Sequence, residues 1–222
     1  MTNLSDLIIL EGKYDRITTL SSRILINMIK KGRKRGKFEL KLNNVANIKI
    51  LDDVDFQVPI YVDVKFQIKY DKTAVSAFDI AGMAEDDLIE LSIVINPNYL
   101  PNSLSDLVPT MKEAMRHELE HVAQANGLRP SSENYEAIEM SFSDLKDPAV
   151  KLGRYFLLKH EVPAFVRGLY KAAKTRRQPI DVTIDYFLDG YEHRLRTGDS
   201  NRIKRIWKSY AKKNLPAAQW SR

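Results

Sequence analysis

The sequence predicts an α+β protein, with strands gathered in its N-terminal half and helices filling its C-terminal half. Three patterns carry that expectation. Residues 58–70 alternate, with Val58, Ile60, Val62, Val64, Phe66, Ile68 and Tyr70 on one side and Gln57, Asp63, Lys65, Gln67 and Lys69 on the other, the period-2 pattern of a strand with one buried face. Around residue 110 the apolar period lengthens to that of a helix. Beyond residue 148, apolar stripes at helical spacing recur, with no further alternating run.

Taken in order, residues 15–31 read as an amphipathic helix with Ile17, Leu20, Ile24 and Met28 on one stripe. The octamer KKGRKRGK at 30–37 follows as a basic turn broken by Gly32 and Gly36. Phe38, Leu40 and Leu42 begin the strands, and the long strand at 58–70 comes next. Two shorter strands are expected at 74–80 and 89–95, separated by Gly82 and an acidic turn. Pro109 suits a first helical turn, and Thr110 with Glu113 suits a capping box. That helix is expected to reach about Asn126, where Gly127 and Pro130 stop it. Further helices are expected at about 148–159, 162–176, 181–196 and 200–213. The last has Ile203, Ile206, Trp207 and Tyr210 as its apolar stripe. The organisation expected is one domain over 1–222, with a sheet half at 1–126 and a helical half at 127–222.

Composition narrows the function classes. Hydrophobic residues make up 44% and charged residues 29% of the 222, which is ordinary for a globular domain and unlike a disordered chain. No apolar run is long enough to span a bilayer, so no membrane partner is expected. The opening MTNLSDLIILEGKYDR carries acids where a secretory signal would carry bases, so a cytoplasmic setting is expected. Cysteine is absent, which excludes disulfides and leaves histidine and carboxylates as the metal ligands available. The net charge of +6 is unevenly spread: residues 151–222 hold 17 Lys and Arg against 6 Asp and Glu. Such a basic half can mark a nucleic-acid surface. No recognisable nucleic-acid motif accompanies it, and a solvated outer face is the simpler reading.

One motif carries chemistry. His117-Glu118-Leu119-Glu120-His121 is HExxH, set in the helix expected from residue 110. Residues four apart share a helix face, their β-carbons about 5–6 Å apart, so both imidazoles can reach one zinc ion at about 2.0–2.1 Å. Glu118 is turned about 100° from His117, beside the metal rather than on it. There it can act as general base towards a water that the metal activates. With only 4 histidines in 222 residues, a chance match is expected roughly once in two hundred such chains.

The third ligand must come from elsewhere. Gln124 and Gly127 stand where the metzincin extension would have its glycine and third histidine. Glu136, Glu139, His160 and Glu161 are the downstream candidates. Glu161 is preferred: it opens a helix, where an acid suits the dipole, and Ala164 allows a close helix approach. His160 is the alternative third ligand, and if it does not ligate it can serve as an oxyanion donor. Tyr155 and Tyr170 are further oxyanion candidates, though tyrosines at helical spacing usually belong to a core.

A mixed sheet, an HExxH helix and a helical half with a downstream glutamate resemble the zincin metallopeptidases, in particular their glutamate-liganded gluzincin branch. HELEHVAQ with YFLLKHEVPAFVRGLYKAAK is also similar to small predicted peptidases encoded by tailed bacteriophages. The resemblance covers about residues 75–175. It implies a zincin-like fold, Zn2+ held by His117, His121 and Glu161, and peptide hydrolysis with Glu118 as general base. It also implies capture of the substrate backbone on a strand edge, for which 74–80 is the candidate. The partners implied are a peptide or protein substrate and, for a phage-encoded chain in the host cytoplasm or virion, phage structural proteins. The alternative is a non-catalytic protein of zincin fold serving as a virion component. Two departures stand out: Glu120 is charged where zincins keep an uncharged residue, and Pro163 sits beside the proposed third ligand.

Overall fold

The computed structural model describes residues 4–34, 44–51, 61–85, 88–99, 102, 104–125 and 145–221. Among these the protein is α+β, with six α-helices and one four-stranded sheet. The chain divides into two compact units, Met1–Val122 and Ala123–Arg222. No helix among the described residues is long and apolar enough to cross a membrane.

The first unit opens with helix α1 (Leu4–Lys34). It is longer than the 15–31 expected, and it runs through Gly32, so the first half of the presumed basic turn is helical. Residues 35–37 and the strand expected around 38–42 lie outside the described residues, as do 58–60. Tyr14, Ile17, Thr18, Ser21, Leu25 and Ile29 form its buried stripe. Of the stripe expected, only Ile17 belongs to it: Leu20 and Ile24 are exposed, and the Met28 side chain lies outside the described residues.

The sheet comprises β1 (Asn44–Leu51), β2 (Tyr61–Tyr70), β3 (Phe78–Glu85) and β4 (Leu88–Ile95), in the order β1-β2-β4-β3. β1 and β2 are antiparallel, β2 and β4 parallel, β3 and β4 antiparallel. The sequence reading passes over β1, whose Asn44, Ala46 and Asn47 blur the alternation. In β2 the alternation is realised. Val64, Phe66, Ile68 and Tyr70 are buried, while Gln67 and Lys69 are exposed. β4 buries Ile89, Leu91, Ile93 and Ile95 on one face and exposes Ser92 on the other.

The strand expected at 74–80 is displaced to Phe78–Glu85. Side-chain hydrogen bonds explain the displacement. The backbone amide of Thr73 donates to Asp71 Oδ1 at 2.9 Å, turning the chain after β2. Buried Asn96 then donates Nδ2 to the carbonyls of Ala74 (2.7 Å) and Lys72 (3.3 Å). Those carbonyls are taken, and the segment bends until Phe78 pairs with Ile95. Gly82 does not end the strand either; it lies inside β3, paired with Leu91.

The second unit is helical: α3 (Pro148–Tyr155), α4 (Glu161–Arg176), α5 (Ile180–Tyr191) and α6 (Asp199–Asn214). Each falls within a few residues of its expected span. Asp147 caps α3 through the amides of Ala149 (2.9 Å) and Val150 (3.4 Å). Arg196 binds the same carboxylate at 2.7 Å, and these bonds, the Arg196 one foremost, hold its pKa below the usual carboxylate range. Trp207 fills the core with Phe156, Val166, Leu169, Ile184, Leu188 and Ile203. Its indole Nε1 donates to the Phe156 carbonyl at 2.9 Å, so the buried polar atom is satisfied. Lys204 and Lys208 pair with Asp189 and Asp185, so part of the basic excess is matched on the adjoining helix.

Candidate metal centre

The site is built on helix α2 (Leu104–Ala125). It starts several residues before the expected first turn. Pro109 therefore lies in the second turn rather than the first, where it forgoes one backbone hydrogen bond. The expected capping box is not formed: Thr110 is mid-helix, its hydroxyl donating to the Asp106 carbonyl at 2.9 Å. The buried stripe is Leu107, Met111, Met115, Leu119 and Val122, at helical spacing.

His117 and His121, one turn apart, bring their Nε2 atoms to 3.1 Å of each other. The rings are edge-on, at 76° with centroids 4.8 Å apart. Two ring nitrogens so close converge on one point, as a shared ligand to both would require. Glu118, only 7% exposed, is turned from that pair and lies against β3 at Gly82.

The charged Glu120 is fully buried and bonded to Arg116, one turn before it, at 3.1 Å. The Arg116 guanidinium in turn lies 5.1 Å from the centre of the Tyr14 ring on α1. The acid that departs from the zincin pattern is thus one half of an ion pair on a different face of the helix from His117 and His121.

The last residues of α2 belong to the second unit. Gln124 stands on the same helical stripe as His117 and His121, and it is buried. Its Nε2 donates to the His160 carbonyl at 2.9 Å. Glu161 follows as the first residue of α4, 5% exposed. Its amide donates to the Leu158 carbonyl at 3.1 Å, which fixes the turn before the helix. Pro163 occupies the first turn of α4, where an amide has no partner within the helix. The proline therefore does not interrupt the helix beside Glu161. Ala164 is fully buried. His160 Nε2 stands 3.5 Å from Glu161 Oε1.

Of the three candidate ligands, His117 and His121 lie in the first unit and Glu161 in the second. Two imidazoles and a carboxylate are the donor set of a catalytic zinc site that keeps a position open, so the residues present fit the ion. Tyr155 and Tyr170 pack against the core of the second unit. Glu136 and Glu139 lie outside the described residues. Sequence reasoning missed two participants. Gln124 drew notice only as a failed metzincin position, although its spacing of three from His121 places it on the ligand face. Gly82, expected between two strands, lies inside β3 against Glu118. Compared with models of known families, with curated proteins and with solved structures, the chain matches none.

Proposed function

We propose that the protein is a zinc-dependent peptidase of zincin type, with the metal held by His117, His121 and Glu161 and with Glu118 as general base. The observation that carries this reading is the convergence of the His117 and His121 Nε2 atoms, 3.1 Å apart on the HExxH helix, with Glu118 buried beside them. A ring pair alone, or a lone buried glutamate, would carry little.

Zinc in such a set supplies Lewis acidity and lowers the pKa of a coordinated water. The chain's own residues supply the rest. Glu118 takes a proton on its carboxylate from the attacking water and returns it to the leaving amine. His160, beside Glu161, is suited to orient that carboxylate as a neighbour of a metal ligand. Gln124 holds the backbone at His160 and thereby the start of α4. β3 is an edge strand of the sheet among the described residues and lies against Glu118. Its outer edge is suited to an extended substrate backbone, with 78–85 replacing the 74–80 expected.

The test is metal content and cleavage of an unfolded protein such as casein. About one zinc per chain is expected, with cleavage lost on chelation and restored by zinc. Glu161→Ala should weaken zinc binding by at least about tenfold, whereas His160→Ala should retain the metal and slow turnover. The reverse pattern in the two variants would make His160 the ligand. A zinc-loaded protein inert on every peptide would favour a non-catalytic, structural role for the same fold.

A further inference from the structure

Glycine inside a strand weakens it, because it has no side chain to pack and more backbone freedom to lose. Gly82 sits at the middle of β3, where no turn or bulge calls for it. Its φ is not in the left-handed region; Gly198 is the glycine with positive φ among the described residues. Backbone conformation therefore does not require a glycine here. Space does. A β-carbon on Gly82 would lie 2.8 Å from Glu118 Cγ and 2.9 Å from its Cδ, and would collide with Oε1. Real β-carbons do not approach other atoms so closely, so something would have to move. The atoms in the way belong to the far part of one side chain, not to backbone, so the carboxylate would yield before the fold did.

We infer that Gly82 is a positioning residue: the missing side chain leaves a notch in the edge strand that seats the Glu118 carboxylate. This rests on the reading of Glu118 as the general base. The notch fixes the base on its β3 side, while the helix fixes its other end one residue from His117. An alanine at 82 would fill the notch and drive the carboxylate to another rotamer, with the metal ligands undisturbed. Misplacing a reacting group by about 1 Å can cost on the order of a hundredfold in rate.

The experiment compares four full-length proteins: wild type, Gly82→Ala, Glu118→Ala and the double variant. Peptide cleavage, zinc affinity and the melting temperature of the zinc-free protein are measured for each. Gly82→Ala is expected to lower kcat about 10–100-fold, with KM and zinc affinity close to wild type. It should also lower the melting temperature when Glu118 is present, and leave it unchanged or raise it in the Glu118→Ala background. That non-additivity is the mark of two groups in contact, and a generic strand effect would not produce it. Wild-type kcat in Gly82→Ala, or an equal change in melting temperature in both backgrounds, would overturn the inference. The melting comparison needs no turnover. If the wild type cleaves nothing, the peptidase reading fails while the coupling still decides whether Gly82 seats Glu118.

Discussion

Glu118→Gln is expected to keep the fold and the zinc while losing peptide hydrolysis by about 10²–10⁴-fold, the usual contribution of a positioned general acid and base. Glutamine has nearly the shape of glutamate and fits the same buried space against Gly82. It cannot accept a proton. His117→Ala and His121→Ala should behave differently, losing metal and hydrolysis together, because each removes one imidazole of the converging pair. The decisive measurement is zinc content and cleavage on all four proteins side by side. Glu120 offers no substitute base, since its carboxylate is engaged by Arg116 in the buried interior. Equal cleavage by wild type and Glu118→Gln would place the activity at another site. Zinc retained in full by either histidine variant would remove the motif from the metal.

How far the sequence foretells this arrangement differs from element to element. Long periodic segments are plain: the alternation that ends at Tyr70 and the stripe through Trp207 each depend on one local pattern repeated several times. Boundaries set by single side chains are not. Asn96 takes the carbonyls of Lys72 and Ala74 from more than twenty positions away, and nothing near residue 74 announces it. Pro109 invites a helix start because a first turn tolerates it best, yet a helix of this length absorbs one missing hydrogen bond a turn later. The same division holds at the site. His117, Glu118 and His121 are legible because helical spacing alone brings them together. Glu161 is legible only as one of several downstream acids, since no local spacing ties it to the HExxH motif. Gly82 cannot be read at all without coordinates, because an absent side chain has meaning only beside the group that occupies its space.

Glu120→Ala is expected to destabilise the protein by about 3–5 kcal/mol, more than an ordinary surface change by a wide margin. The reason is the partner left behind. Arg116 is 1% exposed and Glu120 fully buried, so removing the carboxylate takes the 3.1 Å charge partner from a guanidinium held away from water. The attraction of the Tyr14 ring, 5.1 Å away, offsets part of that. Arg116→Ala should cost a similar amount for the converse reason. Replacing both charges with apolar residues, as in Arg116→Met with Glu120→Leu, should cost far less than the two single changes added together, because a buried ion pair and a well-packed apolar pair are often nearly equivalent. Denaturant unfolding of the four proteins provides the cycle, and the coupling free energy should be of the order of the single-variant losses. Additive losses would mean the two charges act independently, with the 3.1 Å contact contributing little. The same four proteins also separate stability from chemistry at the HExxH helix. Arg116 and Glu120 lie on a different face from the ligands, so the double variant should still take up zinc and cleave peptide near the wild-type rate. Its failure to bind metal would show that the ion pair sets the rotation of the helix, and with it the aim of His117 and His121.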